Sequence, residues 1–197
     1  PYWIAVLISM TNLTSAGQFA GTALIIGGGG FVGSYLARQL VQGCHWDTTV
    51  TKLPQEDVSV EGCEAYNLDI LDQDAVEALL VRLRPDVIFH LAAQSSVAFS
   101  WKNPQKTVEI NLCGSLNVLD AVRAIEGYAP RILLIGSGEE YGMLPPETEL
   151  VGEDTPVHPG NPYAVTKAAQ NWFGSLYARA YGMEIVMIRA FNHVGPN

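Results

Sequence analysis

The chain has 197 residues, of which 48% are hydrophobic and 16% charged, and its formal net charge at pH 7 is −9. This composition predicts a folded domain with a sizeable core and argues against nucleic acid or an anionic membrane as a partner. Because Cys44, Cys63 and Cys113 form no CxxC pair and the four histidines lack metal-ligand spacing, we expect no disulfide framework, no metal site and a reducing, cytoplasmic location.

The first 21 residues are interpreted as an N-terminal extension. They begin with the apolar run "PYWIAVLISM", which has no basic residues and is too short to cross a bilayer. The folded domain is therefore expected to cover residues 22–197.

Strand-like and helix-like patterns alternate from residue 22 onwards. The predicted strands are "TALII", "TTVTKL", "EAYNLDI", "DVIFHLA", "RILLIGS" and "EIVMIRA". The predicted helices cover 31–43, 73–83, 103–125 and 162–181, and 138–160 is expected to be a loop. Several strands are apolar on both faces, which favours an α/β Rossmann fold with a doubly wound parallel sheet of order 3-2-1-4-5-6 and helices on both faces.

A glycine-rich loop lies between the first strand and the first helix. The stretch "IIGGGGFVG" places Gly27, Gly30 and Gly33 at three-residue spacing. Glycines in this position permit a tight turn and let a pyrophosphate approach the backbone at the start of the helix. The context of strand before and helix after predicts a dinucleotide-binding site rather than a merely structural turn.

The end of the second strand bears on the choice of cofactor. NAD-binding sheets usually place an acid there for the ribose hydroxyls, but this chain has Thr51 and Lys52. A cation would suit the 2′-phosphate of NADP(H), which is favoured over NAD(H), although Lys52 could also be a solvated loop lysine. Asp69 follows the third strand, where it could reach the adenine amine or simply form a turn.

Residues at the ends of the fourth and fifth strands are expected at the same edge of the sheet. Ala92 and Ala93 are small enough to pack against a cofactor crossing that edge. Ser137 ends "RILLIGS" and could donate a hydrogen bond to a substrate carbonyl. Glu139 could face the substrate, whereas Glu140 is predicted to be solvated.

Tyr163 and Lys167 lie one turn apart on the helix that begins in "GNPYAVTKAAQ". Their i,i+4 spacing places both side chains on one helix face. A cation beside a phenol favours the phenolate, so this pair could be a tuned acid and base, or an ordinary helix surface.

Over residues 22–197 the sequence resembles the extended short-chain dehydrogenase/reductases of the NAD-dependent epimerase/dehydratase family. The resemblance depends on the glycine loop with Phe31, "NLDI", "HLAAQSSV", "INLCGSLNVLDAV", the Ser137 strand and the Tyr163/Lys167 pair. Within this family, "IGSGEEYGM" and "RAFNHVGPN" are most similar to the GDP-4-keto-6-deoxymannose reductases and the GDP-mannose 4,6-dehydratases.

The resemblance implies a role for each matching position. Tyr163 would be the proton donor or acceptor, Lys167 would lower the pKa of Tyr163 and bind the nicotinamide ribose, and Ser137 would hold the sugar oxygen. Substrate contacts would also come from Glu139 and Asn192. The implied cofactor contacts are Gly27, Gly30, Phe31, Val32, Gly33, Lys52, Asp69, Ile70, Leu91, Ala92, Ala93, Tyr163 and Lys167.

The implied activity is reduction of the C4 ketone of a GDP-sugar, with a dehydratase as the alternative. Glu139 matches the position of the dehydratase base, but Gly138 has no side chain where dehydratases carry a hydroxyl or carboxyl group. A non-catalytic dinucleotide-binding domain is a further alternative. Members of the family usually dimerise through the helices that begin at Asn103 and Pro162, so we expect a homodimer.

The sequence departs from the family pattern at two places. Ile26 replaces the threonine that usually precedes the glycine loop, which removes a hydroxyl that braces the turn. The chain also ends at Asn197, and the resemblance implies that a C-terminal substrate-binding portion is absent. A chain of this extent is expected to bind NADP(H) without necessarily turning over a substrate.

Overall fold

The computed structural model describes residues 21–57, 59–148 and 150–192, and it contains a six-stranded sheet. All strand pairings are parallel. The strands are β1 (Thr22–Ile26), β2 (Asp47–Lys52), β3 (Glu64–Asn67), β4 (Val87–His90), β5 (Arg131–Ser137) and β6 (Ile185–Ala190). Their order in the sheet is β3-β2-β1-β4-β5-β6, so the predicted fold class and strand order are confirmed. Nearly all of the proposed N-terminal extension lies outside the described residues.

Helices connect most of the strands, and two of the four predicted helices differ in detail from the expectation. The helices are α1 (Phe31–Arg38), α2 (Gln73–Leu83), α3 (Val97–Lys102), α4 (Pro104–Val108), α5 (Gly114–Ala124) and α6 (Pro162–Tyr181). A π-helical turn at Gln39–Gly43 extends α1, and another at Glu109–Cys113 joins α4 to α5. The long helix predicted from residue 103 therefore contains a π-helical segment, while α2 and α6 have the predicted bounds.

Other differences concern short segments. The helix α3 was not predicted, because its six residues are too few to show a periodic pattern. The strand β3 ends at Asn67 rather than continuing through "LDI". The predicted loop 138–160 begins with a 3₁₀ turn at Gly138–Tyr141. Among the described residues no helix is long and apolar enough to span a membrane.

Apolar residues on the two faces of the sheet form two separate core clusters. One cluster contains Leu24 and Ile88 and packs against α2 and α5, and the other contains Ile25 and Phe89 and packs against α1. Adjacent strand residues therefore point into opposite cores, which explains the continuous apolar runs of β1 and β4.

Parallel pairing brings the carboxyl ends of the strands to one edge of the sheet. Ile26 is opposite His90, and Ser137 is opposite Ala190. The loops after β1, β2, β4 and β5 therefore share this edge, and it is the edge at which doubly wound sheets bind their ligands.

Candidate active site

The glycine loop packs directly on the segment that follows β4. Gly27 has a φ of +84°, and a Cβ there would lie 2.7 Å from the Ala92 backbone. The N–H groups of Leu91 and Ala92 both donate to the Ile26 carbonyl, at 2.9 and 2.8 Å. Only glycine combines this left-handed conformation with so close an approach. The structure thus brings the predicted residues after β4 into contact with the predicted pyrophosphate loop.

A threonine from β2 stabilises the turn at the start of the glycine loop. Ile26, which precedes the loop, has no hydroxyl with which to do so. The N–H of Gly27 donates to Oγ1 of Thr51 over 3.0 Å, and Thr51 is buried. The hydroxyl that the sequence lacks before the loop is therefore supplied from the neighbouring strand. Sequence reasoning considered Thr51 only in relation to the ribose and missed this structural role.

The other two glycines of the motif, Gly33 and Gly30, have different surroundings. A Cβ on Gly33 would lie 2.6 Å from Cα of Gly28, so close packing of α1 on the loop demands glycine there. A Cβ on Gly30 would meet nothing nearer than the Gly27 carbonyl oxygen at 3.6 Å. The fold therefore leaves space beside Gly30, at the N-terminus of α1, where unpaired backbone N–H groups favour an anion. These features fit the pyrophosphate of a dinucleotide.

The residues predicted to bind the adenosine half lie at the end of β2 and just after β3. The Lys52 ammonium donates to the Glu56 carbonyl over 2.7 Å at the rim of the sheet. Asp69 is exposed, and its Oδ1 accepts from the Leu71 N–H, so one carboxylate oxygen stabilises a turn. The Ile70 side chain is buried in the core, and its carbonyl accepts from Asn117. Contact between Ile70 and a cofactor would therefore have to involve its N–H group or the edge of its backbone.

Ser137 and Tyr163 meet at the end of β5. Both are buried, and Tyr163 lies in the first turn of α6, which begins at Pro162 after the N-cap Asn161. Burial raises the pKa of the Tyr163 phenol, the hydroxyl of Ser137 lowers it by hydrogen bonding, and the charges of Glu140 and Glu139 raise it further. The phenol is therefore protonated at neutral pH, as a proton donor must be.

Lys167 is buried on the same helix, with only 3% of its surface exposed. Its ammonium donates to the Ile135 carbonyl at 2.8 Å and to Oε1 of Gln170 at 3.2 Å. Burial lowers the pKa of Lys167 to about 8, and the charge of Glu140 opposes that shift. The predicted lowering of the Tyr163 pKa by Lys167 is not what the structure shows, because the buried ammonium is directed to these acceptors and burial dominates at the phenol.

Glu139 lies beside the N-terminus of α6. Its side chain is exposed, and Oε2 accepts from Nδ2 of Asn161 over 2.9 Å. A Cβ at the neighbouring Gly138 would lie 2.6 Å from the Phe191 ring, which stacks on Tyr141. The ring therefore occupies the space that a side chain at position 138 would need. Asn192, the remaining predicted substrate contact, is exposed just after Phe191.

The prediction that Glu140 is solvated is wrong. Its side chain is 1% exposed and accepts hydrogen bonds from the Ser137 N–H, from Asn171 and from Arg189. The burial arises because the 3₁₀ turn directs this side chain inward, while Glu139 points outward. Sequence alone offered no signal that separates the two adjacent acids.

A second buried polar chain, also missed, leads from β4 to α6. Nε2 of His90 contacts the Ser115 hydroxyl, which donates to the Asn111 carbonyl. The Asn111 amide donates to the hydroxyl of Thr166, which in turn donates to the Tyr163 carbonyl. Asn111 lies in the π-helical turn, a geometry that often marks functional sites. The only hint in the sequence was "INLCGS", which contributed to the resemblance but received no role.

A family model described as GDP-mannose 4,6 dehydratase matches residues 24–197. The chain belongs to this family. Membership in the GDP-mannose 4,6 dehydratase family confirms the resemblance to the extended short-chain dehydrogenase/reductases that the motifs indicated.

Individual relatives agree with this assignment. The GDP-6-deoxy-D-mannose reductase of Pseudomonas aeruginosa is 33% identical over 172 residues, which is 87% of this chain and 52% of the relative. The UDP-glucose 4-epimerase of Thermus thermophilus, solved with NAD, is 33% identical with a TM-score of 0.77, covering 85% of this chain and 54% of that one. The protein named RMD from Pseudomonas aeruginosa, solved with NADPH, is 31% identical with a TM-score of 0.74, covering 89% and 56%. The chain thus spans about half the length of these relatives.

Proposed function

We propose that this member of the GDP-mannose 4,6 dehydratase family is an NADP(H)-dependent nucleotide-sugar oxidoreductase, and that it reduces the C4 ketone of GDP-4-keto-6-deoxymannose. The observation that carries the proposal is the meeting of Ser137 and a protonated, buried Tyr163 at the same sheet edge as the glycine loop. The similarity to a GDP-6-deoxy-D-mannose reductase supports the choice of substrate.

The cofactor would lie across the carboxyl edge of the sheet. Gly27, Gly30 and Gly33 would receive its pyrophosphate at the start of α1, with Phe31 and Val32 in the first helical turn. Leu91, Ala92 and Ala93 would contact its central part, and Asp69 and Ile70 its adenine. Bound NADPH would supply the hydride that reduces the ketone.

The protein side chains would hold the ketone and supply the proton. The Ser137 hydroxyl would hydrogen-bond to the C4 oxygen, and the Tyr163 O–H would transfer its proton to that oxygen as negative charge develops on it. Lys167, one turn further along α6, would bind the nicotinamide ribose. Glu139 and Asn192 would contact the sugar nucleotide.

A GDP-mannose 4,6-dehydratase is the second candidate function. A dehydratase needs an additional base, and the exposed Glu139 carboxylate, bonded to Asn161, is available for that role. The absence of a side chain at Gly138, with Phe191 filling the space, favours the reductase.

Turnover with two substrates separates the candidates. The reductase should oxidise NADPH when GDP-4-keto-6-deoxymannose is added and leave GDP-mannose unchanged. Formation of the 4-keto product from GDP-mannose would instead support the dehydratase. Saturable NADPH binding without turnover of either sugar, or of a UDP-sugar as an epimerase substrate, would support a non-catalytic binding domain.

The preference for NADP(H) is proposed to depend on Lys52. Lys52→Asp should weaken NADPH binding about 10- to 100-fold, because it removes a charge-assisted contact to the 2′-phosphate. NADH binding should change much less. Fluorescence titration with both cofactors measures this effect, and Lys106→Asp, which alters a lysine on α4, provides the control. Equal losses for NADPH and NADH would contradict the proposed role.

A homodimer is proposed from the apolar surface of α3, α4 and α6. Seven large hydrophobic side chains on these helices are exposed in the single chain: Phe99, Trp101, Val108, Val165, Trp172, Leu176 and Tyr181. An apolar surface of this kind marks an interaction site. Sedimentation velocity should show a dimer, and a monomer at every concentration would contradict the proposal.

A cytoplasmic location is likewise proposed, since all three cysteines are free thiols.

A further inference from the structure

The carboxylate of Glu140 is enclosed by hydrogen-bond donors from three elements. Its Oε1 accepts from the Ser137 N–H at 2.8 Å and from Nδ2 of Asn171 at 2.9 Å. Its Oε2 accepts from the same Asn171 nitrogen at 3.0 Å and from Nε of Arg189 at 3.2 Å. The carboxylate thus joins the end of β5 to α6 and β6.

The backbone beside this carboxylate is shaped to admit it. A Cβ on Gly136 would lie 2.3 Å from Oε1 of Glu140 and 2.4 Å from Nδ2 of Asn171. Any other residue at position 136 would expel the carboxylate or the amide. Gly136 therefore makes room for the Glu140 side chain next to Ser137.

Both oxygens of Glu140 face hydrogen-bond donors. Arg189 is a cation, and Asn171 presents its NH₂ group to both oxygens. Flipping the Asn171 amide would place an oxygen against the carboxylate. Among the described residues, the buried Oδ1 of Asn171 has no hydrogen-bond partner, so the amide keeps its NH₂ group on the carboxylate and leaves that oxygen unpaired.

Arg189 connects Glu140 to the loop that follows the 3₁₀ turn. Its Nη1 donates to the Tyr141 hydroxyl at 3.2 Å and to the Glu153 carbonyl at 3.0 Å. The main-chain carbonyl of Glu140 also accepts from the His158 N–H at 2.9 Å. The loop is therefore tied to Glu140, the residue that holds Ser137, at His158 directly and at Glu153 through Arg189.

We propose that Glu140 is a positioning residue, whose carboxylate fixes the main chain of Ser137 and, through Arg189, seats the loop containing Glu153 beside the active site. The inference rests on the proposed function only in that Ser137 is taken to bind the substrate ketone. A misplacement of about 1 Å at such a group can lower the rate about 100-fold.

The test compares Glu140→Gln with Glu147→Gln, which alters an exposed acid of the same loop. Glutamine has one side-chain oxygen where glutamate has two, and its NH₂ group cannot accept a hydrogen bond. At least one of the donors that now face the two Glu140 oxygens therefore loses its acceptor. We expect hydrogen exchange of the Ser137 amide to accelerate at least about 10-fold in Glu140→Gln and to stay unchanged in the control. In the active protein, kcat should fall about 10- to 100-fold while KM changes less than about threefold.

Arg189→Lys provides a second reading, including the case in which Glu140→Gln fails to fold. Arg189 uses two different nitrogens, Nε for Glu140 and Nη1 for Glu153. Lysine keeps the positive charge, but its single nitrogen cannot make both contacts with this geometry. Exchange around Glu153 should accelerate while the Ser137 amide remains protected. Unchanged exchange at both places in the variants that fold would overturn the proposal. If the exchange results are as expected but the wild-type protein reduces no sugar ketone, the proposed function fails and this inference stands.

Discussion

Replacing Tyr163 with phenylalanine is expected to lower kcat for ketone reduction by about 10²- to 10⁴-fold, the usual contribution of a positioned general acid. Phenylalanine keeps the buried ring and its packing, so NADPH binding and stability should change little. The measurement is steady-state oxidation of NADPH combined with a separate cofactor titration.

Tyr177→Phe is the matched control on the same helix. The Tyr177 hydroxyl donates to Asp120 at 2.9 Å and takes no part in the proposed site. This variant should retain kcat. Full activity in Tyr163→Phe, or an equal loss in both variants, would show that the Tyr163 phenol is not the proton donor.

The second large effect concerns how stability depends on the buried Lys167. Its pKa is about 8 in the folded chain, against 10.5 for an ordinary lysine. Between these values the unfolded chain binds more protons than the folded one, so the stability contribution of Lys167 rises with pH. Relative to Lys167→Met, the free energy of unfolding of the wild type should therefore increase by about 3 kcal/mol from below pH 8 to above pH 10.5.

Urea unfolding of both proteins across this pH range measures the difference. Lys106→Met, which alters an exposed lysine, should show no comparable pH-dependent difference. If the difference in unfolding free energy between the wild type and Lys167→Met does not change with pH, the buried amine has an ordinary pKa.

The sequence predicted the sheet well because each central strand is a short apolar run flanked by turn residues. The strands β1, β4 and β5 are buried on both faces, and that burial is visible as continuous hydrophobicity. The helix α3 could not be predicted because six residues are too few to show a helical hydrophobic pattern. The π-helical turns could not be predicted because one extra residue in a helical turn hardly changes that pattern. The strand β3 is shorter than expected because its final apolar residues, Leu68 and Ile70, pack into the core from a turn.

The candidate site was predicted in part. The glycine loop, Ser137, Tyr163 and Lys167 all lie at the expected sheet edge, but the hydrogen-bond partner of each depends on tertiary packing. Thr51 bracing Gly27, Ile135 accepting from Lys167 and Glu140 holding Ser137 all involve residues on different elements or in adjoining turns. Such partners are set by how the elements pack, and sequence spacing does not encode them.

The proposed function depends most on a dinucleotide binding against Gly30, and calorimetric titration of NADPH tests this binding directly. The wild type should bind one NADPH per chain saturably. Gly30→Val, whose Cβ would meet nothing nearer than the Gly27 carbonyl oxygen at 3.6 Å, should remain folded and lose that binding. Absence of saturable binding in the wild type, or equal binding by Gly30→Val, would contradict the proposed dinucleotide site.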